Sequence, residues 1–388
     1  MRCNSDTFFG ILKNKNIDFI ALAMTPWHAI GIDAFLFEKS QENHRKITGI
    51  VMIIPNNEKY VVNENNFSCN KFVDVDFYQI ETLSDQRFTN SLHTIISEGY
   101  NILRGIKNCQ NNMDRSNKKI LYLISPWTPY LPFIEYFKDK KISSTYKPTF
   151  VVVDEGVGIY VSKKARELGI KHTSKFSPWA EIKLKGYAYI DKFLRKISLK
   201  YIPLTERFVY EYGSSFKRNE KIVNIYKKII ELRGNDLGID GDNVALIITD
   251  PLSEYNMVSK KEEYSLINEI IQVFNENDIK ILIKPHPYEA MNKYDHLKRD
   301  NVKIIKNNFP VEEIIPVLNP LCVIGTISTA LINSKLIFNV TTISVINLLE
   351  TDNELMKYTI QEFKELSGDF IKFLDSNDKI TEVLNLKQ

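Results

Sequence analysis

IKILIKPHP, residues 279–287, decides the fold class of the second half of the chain. Its run of β-branched and aliphatic residues predicts a buried strand, and two prolines end that strand. Three further runs repeat the pattern: NVALIITDP (243–251), VKIIK (302–306) and LCVIG (321–325). Helical patterns such as 261–277 and 311–318 lie between them. Strands that alternate with helices predict βαβ units and a parallel sheet.

The first half alternates in the same way. Its predicted strands are IDFIALAM (17–24), KITGIVMIIP (46–55), KKILYLIS (118–125) and PTFVVVDEG (148–156). Because 388 residues also exceed one ordinary domain, we expect two lobes. The loop RGNDLGIDGDN (233–243) marks their junction. The predicted division is a first lobe over 1–238, a second over 239–350, and a helical tail, 351–388, that packs back on the first lobe.

Composition is that of a globular protein, with 44% hydrophobic and 26% charged residues, which excludes disordered and fibrous classes. The four cysteines are scattered without metal-ligand or disulfide spacing, so we expect reduced thiols in a cytoplasmic protein. The start of the chain lacks the apolar core of a signal peptide, and no later run reaches the ~20 apolar residues of a spanning helix.

Positive charge is concentrated between Val161 and Lys200. Eleven lysine and arginine residues stand there against three acids, a net charge of about +8 in a chain whose total is +3. Such a run is either a solvated surface or a docking face for a polyanion or an anionic membrane.

The strand at 148–153 is followed by Asp154-Glu155-Gly156-Val157-Gly158. A carboxylate at a strand end can take a proton from a sugar hydroxyl, and the glycines let the backbone approach a ligand. The alternative is a helix cap with turn glycines.

The strand at 279–283 is followed by Lys284-Pro285-His286-Pro287. The two prolines restrain the single histidine, and this His/Lys pair at a strand end suits a phosphate. The alternative is a surface turn.

Two helix starts in the second half can also bind an anion or a sugar. Gly325 and the Ser328-Thr329 pair belong to a turn rich in hydroxyls that leads into a helix, which predicts either an anion site or an ordinary N-cap. Pro310 opens another helix, where Glu312 can accept the hydroxyls of a ribose or simply favour the helix dipole.

Several common sites are absent from the sequence. There is no P-loop, no GxGxxG after a strand and no Ser-His-Asp arrangement. Asp74-Val75-Asp76 is the closest match to a DxD metal motif, and its place on a probable strand indicates surface carboxylates. We therefore expect no metal site.

The order of these motifs resembles the bacterial sialyltransferases, which share D/E-D/E-G, then HP, then P-x-E, then a Ser/Thr pair. Within them the chain looks most like the capsular polysialyltransferases, because Thr249-Asp250-Pro251-Leu252-Ser253-Glu254 and Thr25-Pro26-Trp27-His28 are also in character. The motifs span about 25 to 330. One departure is that the Ser-Ser pair of many relatives is Ser328-Thr329 here, which keeps both hydroxyls.

The resemblance implies a GT-B fold, two Rossmann-like lobes facing across a cleft, with CMP-sialic acid as the donor. It implies that Glu155, or its neighbour Asp154, is the general base and that His286 contacts the donor phosphate as general acid or charge stabiliser. The implied donor-binding residues are Lys284 beside the cytidine, Glu312 on the ribose, and Pro287, Gly325, Ser328 and Thr329 around the phosphate.

The acceptor implied by the resemblance is anionic oligo- or polysialic acid. The residues expected to meet it are His28, which can instead pack beneath Trp27, and four lysines of the basic stretch, Lys183, Lys185, Lys192 and Lys196. The resemblance further implies no cofactor, no metal requirement, no nucleic-acid partner, and a cytoplasmic protein held peripherally at the inner face of the bacterial inner membrane or in a capsule-assembly complex.

Three functions stay open at this point. The favoured one is an inverting polysialyltransferase that extends polysialic acid. The second is a sialyltransferase that adds one residue to a terminal galactose of lipooligosaccharide or capsule. The third is a non-catalytic protein that binds or assembles capsule polysaccharide.

Overall fold

The structure is a computed structural model that describes most of the chain. The described residues are 2–3, 16–43, 45–54, 62–80, 92–113, 117–126, 131–154, 193–194, 196–198, 200–201, 206–208, 219–234, 243–290, 292–307, 309–377 and 379–384. They belong to two compact units: those up to 154 and those over 193–208 form the first, and those from 219 onward form the second.

The first unit is built on a seven-stranded sheet whose neighbouring strands all pair in parallel. Its strands are β1 (Arg2–Cys3), β2 (Phe19–Ala23), β3 (Thr48–Ile53), β4 (Asp74–Ile80), β5 (Lys119–Ser125), β6 (Tyr146–Val153) and β7 (Glu206–Phe208). Its helices are α1 (Pro26–Glu42), α2 (Leu92–Met113), α3 (Leu131–Tyr136) and α4 (Lys140–Thr145). The strand order is β1-β4-β3-β2-β5-β6-β7.

The second unit has a six-stranded sheet, also parallel throughout, in the order β10-β9-β8-β11-β12-β13. The strands are β8 (Val244–Ile248), β9 (Lys280–Lys284), β10 (Val302–Ile304), β11 (Cys322–Gly325), β12 (Thr341–Ser344) and β13 (Lys372–Phe373). The helices are α5 (Glu220–Arg233), α6 (Lys260–Glu276), α7 (Val311–Leu318), α8 (Thr329–Phe338), α9 (Glu354–Ser367) and α10 (Lys379–Val383).

Both sheets have the doubly wound order of a Rossmann fold. From β2 in the first unit and from β8 in the second, the chain winds first to one side and then to the other, and β1 is an edge strand beside β4. The winding direction reverses between β2 and β5 in the first unit and between β8 and β11 in the second. Ligands of such sheets bind where the direction reverses, at the carboxyl ends of the strands. The predicted pair of Rossmann-like α/β units is confirmed.

The helix boundaries of the second unit follow from its sequence. Ser259 and Glu262 form a capping box at the start of α6, because each side chain accepts a hydrogen bond from the other residue's backbone N–H. Asn319 and Asn339 end α7 and α8 in the left-handed conformation, which asparagine tolerates.

The boundary between the units differs from the predicted division at 238/239. Helix α5 lies before that point, yet it belongs to the second unit. It packs on α7 and α8, and the buried Arg233 guanidinium pairs with Glu313 of α7 at 2.6 Å. The sequence does not reveal this pairing, because its two residues lie 80 positions apart.

The described part of the tail belongs to the second unit. Met356 of α9, Leu374 and Ile380 of α10 lie in the core of the second unit, together with residues of β8, β9 and β11. β13 adds a sixth strand to the second sheet by pairing with β12. The described tail residues therefore complete the second unit, and the packing of the tail on the first lobe stays a prediction.

Candidate functional site

The carboxyl ends of β8, β9 and β11 lie side by side in the second unit, with β8 in the middle. Adjacent strands are about 4.8 Å apart, so the residues that follow β9 and β11 are roughly 10 Å apart across the sheet. His286 follows β9, Thr249 and Asp250 follow β8, and Thr326 follows β11. The sheet therefore brings the predicted HP and Ser/Thr motifs to one edge, at the reversal point.

The backbone N–H and the ring of His286 each have hydrogen-bond partners within the second unit. Its N–H donates to Glu289 Oε2 at 2.7 Å and to Thr249 Oγ1 at 3.3 Å. Its ring stacks on Tyr288, with centroids 5.6 Å apart, and Nδ1 accepts from the Tyr288 N–H at 3.2 Å. Burial lowers the pKa of the ring to about 4, so the imidazole is neutral at pH 7. Because Nδ1 is an acceptor, the proton of the neutral ring lies on Nε2, which makes Nε2 a hydrogen-bond donor.

Asp250 joins β8 to the turn after β11. Its Oδ2 accepts from the Thr326 hydroxyl and from the Ile327 N–H, the latter at 3.1 Å. The same turn is held from the other side, since the Ser344 hydroxyl donates to the Thr326 carbonyl at 2.6 Å. Burial raises the pKa of Asp250. The carboxylate thus fixes the start of the turn that carries the Ser/Thr pair.

The Ser/Thr pair begins α8. Ser328 is the N-cap, and its Oγ accepts from the Ala330 N–H at 3.4 Å. Thr329 is the first helical residue. Both the N-cap and the anion-site alternatives are compatible with this position, because the N–H groups of a helix start can also bind an anion.

The close packing of β11 on β8 explains why residue 325 is a glycine. A Cβ at this position would lie 2.9 Å from the Ile248 carbonyl oxygen and 2.7 Å from Ile248 Cγ1. Only glycine allows β11 to approach β8 so closely at the reversal point. The contact of Gly325 with the donor stays a prediction.

Two further predicted residues, Lys284 and Glu312, are buried in the second unit. Lys284 Nζ donates to the Asn307 carbonyl at 2.5 Å, and burial lowers its pKa to about 8. Glu312, in the first turn of α7, accepts from Asn333 Nδ2 at 2.6 Å, and burial raises its pKa. Their roles beside the cytidine and on the ribose stay predictions, as does that of Pro287.

In the first unit, His28 is buried with 3% of its surface exposed. Its N–H donates to Thr25 Oγ1 at 3.2 Å, which caps α1, and its Nδ1 accepts from the Met24 N–H at 3.2 Å. Burial lowers its pKa to about 3. The His28 ring is therefore away from solvent, and its role toward the acceptor stays a prediction.

The remaining predicted residues lie at the edge of the described chain or outside it. Asp154 follows β6 and is fully buried. Lys196 is exposed and begins the helical residues 196–198. Outside the described residues lie Glu155, Gly156, Lys183, Lys185 and Lys192.

Sequence reasoning missed the carboxylates that hold the site. Asp250 and Glu289 each fix a loop, yet no role was predicted for either. Asp250 is the second residue after β8, the middle strand at the reversal point, and Glu289 lies three residues after His286. Acidic residues so placed beside a predicted phosphate-binding motif are a signal that sequence reasoning can use.

Among the residues that the structure describes, one acidic group has the spacing of a metal site: Glu254, Glu263 and Glu289, with ligand oxygens within 4.8 Å of one another. Lys293 Nζ lies between these carboxylates, at 2.9, 2.7 and 2.8 Å respectively. Asp74 and Asp76 are exposed on β4, as predicted for surface carboxylates. In the described part of the chain, no helix is long and apolar enough to span a bilayer.

Comparison with known proteins gives one family. A family model for alpha-2,8-polysialyltransferases (POLYST) matches residues 19–347. No curated protein matches the chain in a sequence comparison.

Three of the similar solved structures are an epimerase and two sialyltransferases. The UDP-GlcNAc 2-epimerase of Methanocaldococcus jannaschii is 13% identical with a TM-score of 0.48, over 95% of this chain and 91% of that one. The GT-B domain of a sialyltransferase from Photobacterium damselae is 12% identical with a TM-score of 0.42, over 91% and 98%. An alpha/beta-galactoside alpha-2,3-sialyltransferase from Photobacterium phosphoreum is 15% identical with a TM-score of 0.42, over 92% and 99%.

Proposed function

The chain belongs to the alpha-2,8-polysialyltransferase family, and we propose that it takes sialic acid from CMP-sialic acid and adds it to the end of a sialic acid polymer, with inversion at the anomeric carbon. The reaction needs a site for the departing phosphate and a base for the acceptor hydroxyl. The second unit supplies candidates for the first, and the chain around Glu155 supplies the candidate for the second.

The observation that carries the proposal is the state of His286. Breaking the bond to CMP leaves negative charge on a phosphate oxygen, and preorganised donors stabilise such charge. His286 is neutral with its proton on Nε2, at the carboxyl end of β9. The start of α8 adds the Ser328 and Thr329 hydroxyls and helix N–H groups. In this proposal, all of these groups donate to the same phosphate.

His286 then acts as a neutral donor and charge stabiliser rather than as a general acid. A general acid must carry a transferable proton, and an imidazole with a pKa of about 4 is very largely unprotonated at pH 7. A phosphate leaving group does not need to be protonated, so hydrogen bonds to its oxygens suffice. We propose that this array of donors replaces a metal ion.

Glu155 is the base in this proposal. Asp154, its neighbour, is fully buried at the end of β6, which supports a role in fixing the loop rather than in proton transfer. Glu155 would take the proton of the acceptor hydroxyl as that oxygen attacks the anomeric carbon from the face opposite the departing CMP.

The acceptor is an anionic polymer in this proposal, met by the basic stretch between Val161 and Lys200. Of the four lysines named for this role, Lys196 lies in the described chain and is exposed. We extend the proposal to a protein held peripherally at the inner face of the inner membrane, where capsule assembly takes place.

The roles are tested with Glu155→Gln and His286→Ala in the presence of EDTA. Each variant is expected to lose transfer from CMP-sialic acid, whereas the unmodified protein keeps full activity with the chelator. Full activity in either variant would refute its assigned role, and loss of the unmodified activity in EDTA would refute the metal-free reaction.

The length of the product shows whether the protein adds many sialic acid residues or one. A short, labelled sialic acid oligomer should give a ladder of longer products, whereas a single added residue would identify the alternative sialyltransferase. Polymer binding without release of CMP would identify a non-catalytic protein.

Acceptor length tests the basic stretch. Neutralising Lys183, Lys185, Lys192 and Lys196 should reduce transfer to long acceptors more than to short ones. The matched control neutralises Lys280 and Lys303, which are exposed on β9 and β10. This control should leave transfer to long and to short acceptors unchanged. Equal effects on long and short acceptors would remove the basic stretch from the proposal.

A further inference from the structure

Lys293 lies at the centre of a cage of oxygen atoms beneath the His286 loop. Its Nζ is 2.7 Å from Glu263 Oε2, 2.8 Å from Glu289 Oε1 and 2.9 Å from Glu254 Oε2. Ser253 Oγ is 3.2 Å away and donates its own proton to Glu263 Oε2 at 2.5 Å. The side chains of Lys293, Glu289 and Glu263 are 1%, 0% and 5% exposed and are shielded from water, whereas Glu254 is 29% exposed at the rim of the cage.

The cage joins three separate segments of the second unit. Ser253 and Glu254 come from the turn after β8, Glu263 from the first turn of α6, and Glu289 and Lys293 from the loop after β9. Three carboxylates this close repel one another unless a cation lies between them. The pKa of Lys293 is accordingly raised, against the effect of its burial, by hydrogen bonds to these carboxylates.

Glu289 connects the cage to His286 because its two oxygens face different groups. Oε1 accepts from Lys293 Nζ and from the Tyr294 hydroxyl, at 2.8 and 2.7 Å. Oε2 accepts from the His286 N–H at 2.7 Å and from the Thr249 hydroxyl. The carboxylate is therefore bound on one side by the cage and on the other by the loop that carries the histidine.

We propose that Lys293 is a positioning residue for transfer: its ammonium, enclosed by three carboxylates, holds Glu289 in the orientation that fixes the His286 backbone and hence the direction of the His286 ring. This inference rests on the proposed function of His286. Without the ammonium, Glu289 is repelled by Glu254 and Glu263 and no longer has one fixed orientation. Because a shift of about 1 Å at a reacting group can cost on the order of 100-fold in rate, we expect kcat to fall by that order.

Chemical rescue distinguishes positioning from a general loss of stability. Lys293→Ala removes Cγ, Cδ, Cε and Nζ, and n-propylammonium has the matching three carbons and a nitrogen. Added n-propylammonium should raise kcat at least tenfold in this variant. Tetramethylammonium, which has the charge but no N–H, should not. Lys298→Ala is the matched control, because Lys298 is half-exposed and pairs with Asp295 at the surface, and its activity should not respond to either cation.

A second measurement needs no donor substrate and so separates this inference from the proposed function. The ring nitrogen resonances of ¹⁵N-labelled histidine report the tautomer and environment of His286, assigned by comparison with His286→Gln. They should shift in Lys293→Ala and return with n-propylammonium. If the unmodified protein transfers no sialic acid yet these shifts occur, the cage is supported and the function is wrong.

Glu289→Gln keeps the test decisive if Lys293→Ala does not fold. The amide has the same shape but turns a donor toward one of the two faces, so kcat should fall and the His286 resonances should shift. A folded Lys293→Ala or Glu289→Gln protein with unchanged kcat and unchanged resonances would overturn the proposal, as would a defect in Lys293→Ala that n-propylammonium leaves unaltered.

Discussion

Replacing His286 by glutamine and, separately, by asparagine separates the two roles that a histidine can have beside a phosphate. The glutamine amide nitrogen can take the position of Nε2 and still donate, whereas the asparagine amide oxygen takes the position of Nδ1 and preserves only the bond from the Tyr288 N–H. Both variants are neutral at every pH. A neutral-donor role therefore predicts that glutamine retains more activity than asparagine.

The expected difference in activity between the two variants follows from the protonation state of the His286 ring. With a pKa of about 4, about one imidazole in a thousand is protonated at pH 7, so the neutral donor is the species that acts. Removing one preorganised donor to developing charge costs about 10²- to 10³-fold in kcat. One hydrogen bond to a charged group is worth about 1.5–3 kcal/mol, so glutamine should exceed asparagine by about 10- to 100-fold.

The assay is kcat/KM for transfer from CMP-sialic acid between pH 6 and 8, because this parameter reports the pKa values of the free protein. The ratio of unmodified to His286→Asn activity cancels all other titrating groups. A neutral donor keeps the ratio constant over the range. A ratio that falls about tenfold per pH unit, or a glutamine variant as inactive as the asparagine one, would refute the neutral-donor assignment.

Three predictions concern stability. First, His28 has a pKa of about 3 when folded and about 6.5 when unfolded, so the unfolded state takes up the proton first as pH falls. The free energy of unfolding should therefore fall by about 2 kcal/mol between pH 7 and 5. His28→Asn should not show this pH-dependent fall. Denaturant titrations at the two pH values measure the difference. Second, Arg233→Met removes the guanidinium that pairs with the buried Glu313 carboxylate and should lower the free energy of unfolding by about 3–5 kcal/mol. The Arg233→Met/Glu313→Leu double variant should recover most of this loss. An equal loss of stability in the single and double variants would contradict a buried pair. Third, Gly325→Ala should lower the stability by about 1–3 kcal/mol through overpacking. Gly99→Ala is the control, because a Cβ there has no neighbouring atom within 4 Å, and it should be neutral or stabilising. Similar melting temperatures for the two variants would contradict the close approach of β11 to β8.

The elements that carry the second-unit site were predictable because each has a local signal. β9 is a short apolar run ended by Pro285, and α6 begins at a Ser259–Glu262 capping box. Parallel strands end at the same edge of a sheet, so the residues after β8, β9 and β11 were expected at that edge. The strand order that makes these three strands neighbours is a property of the fold. The HP and Ser/Thr motifs were therefore placed correctly from the sequence.

What the sequence missed depends on contacts between distant segments. The Lys293 cage joins residues of three segments, and the Arg233–Glu313 pair joins residues 80 positions apart, so no local pattern indicates either. His28 shows a different limit: its position after β2 was evident, but only packing determines that the ring turns inward and accepts from Met24. Burial and direction of a side chain are properties of the assembled unit.

The proposed function depends on where the donor phosphate binds, and a crystal structure with CMP bound tests this most directly. We expect the phosphate at the carboxyl ends of β8, β9 and β11, with His286 Nε2 and the Ser328 hydroxyl each within about 3 Å of a phosphate oxygen. A CMP phosphate bound elsewhere, or bound at this edge without a contact to His286, would contradict the account.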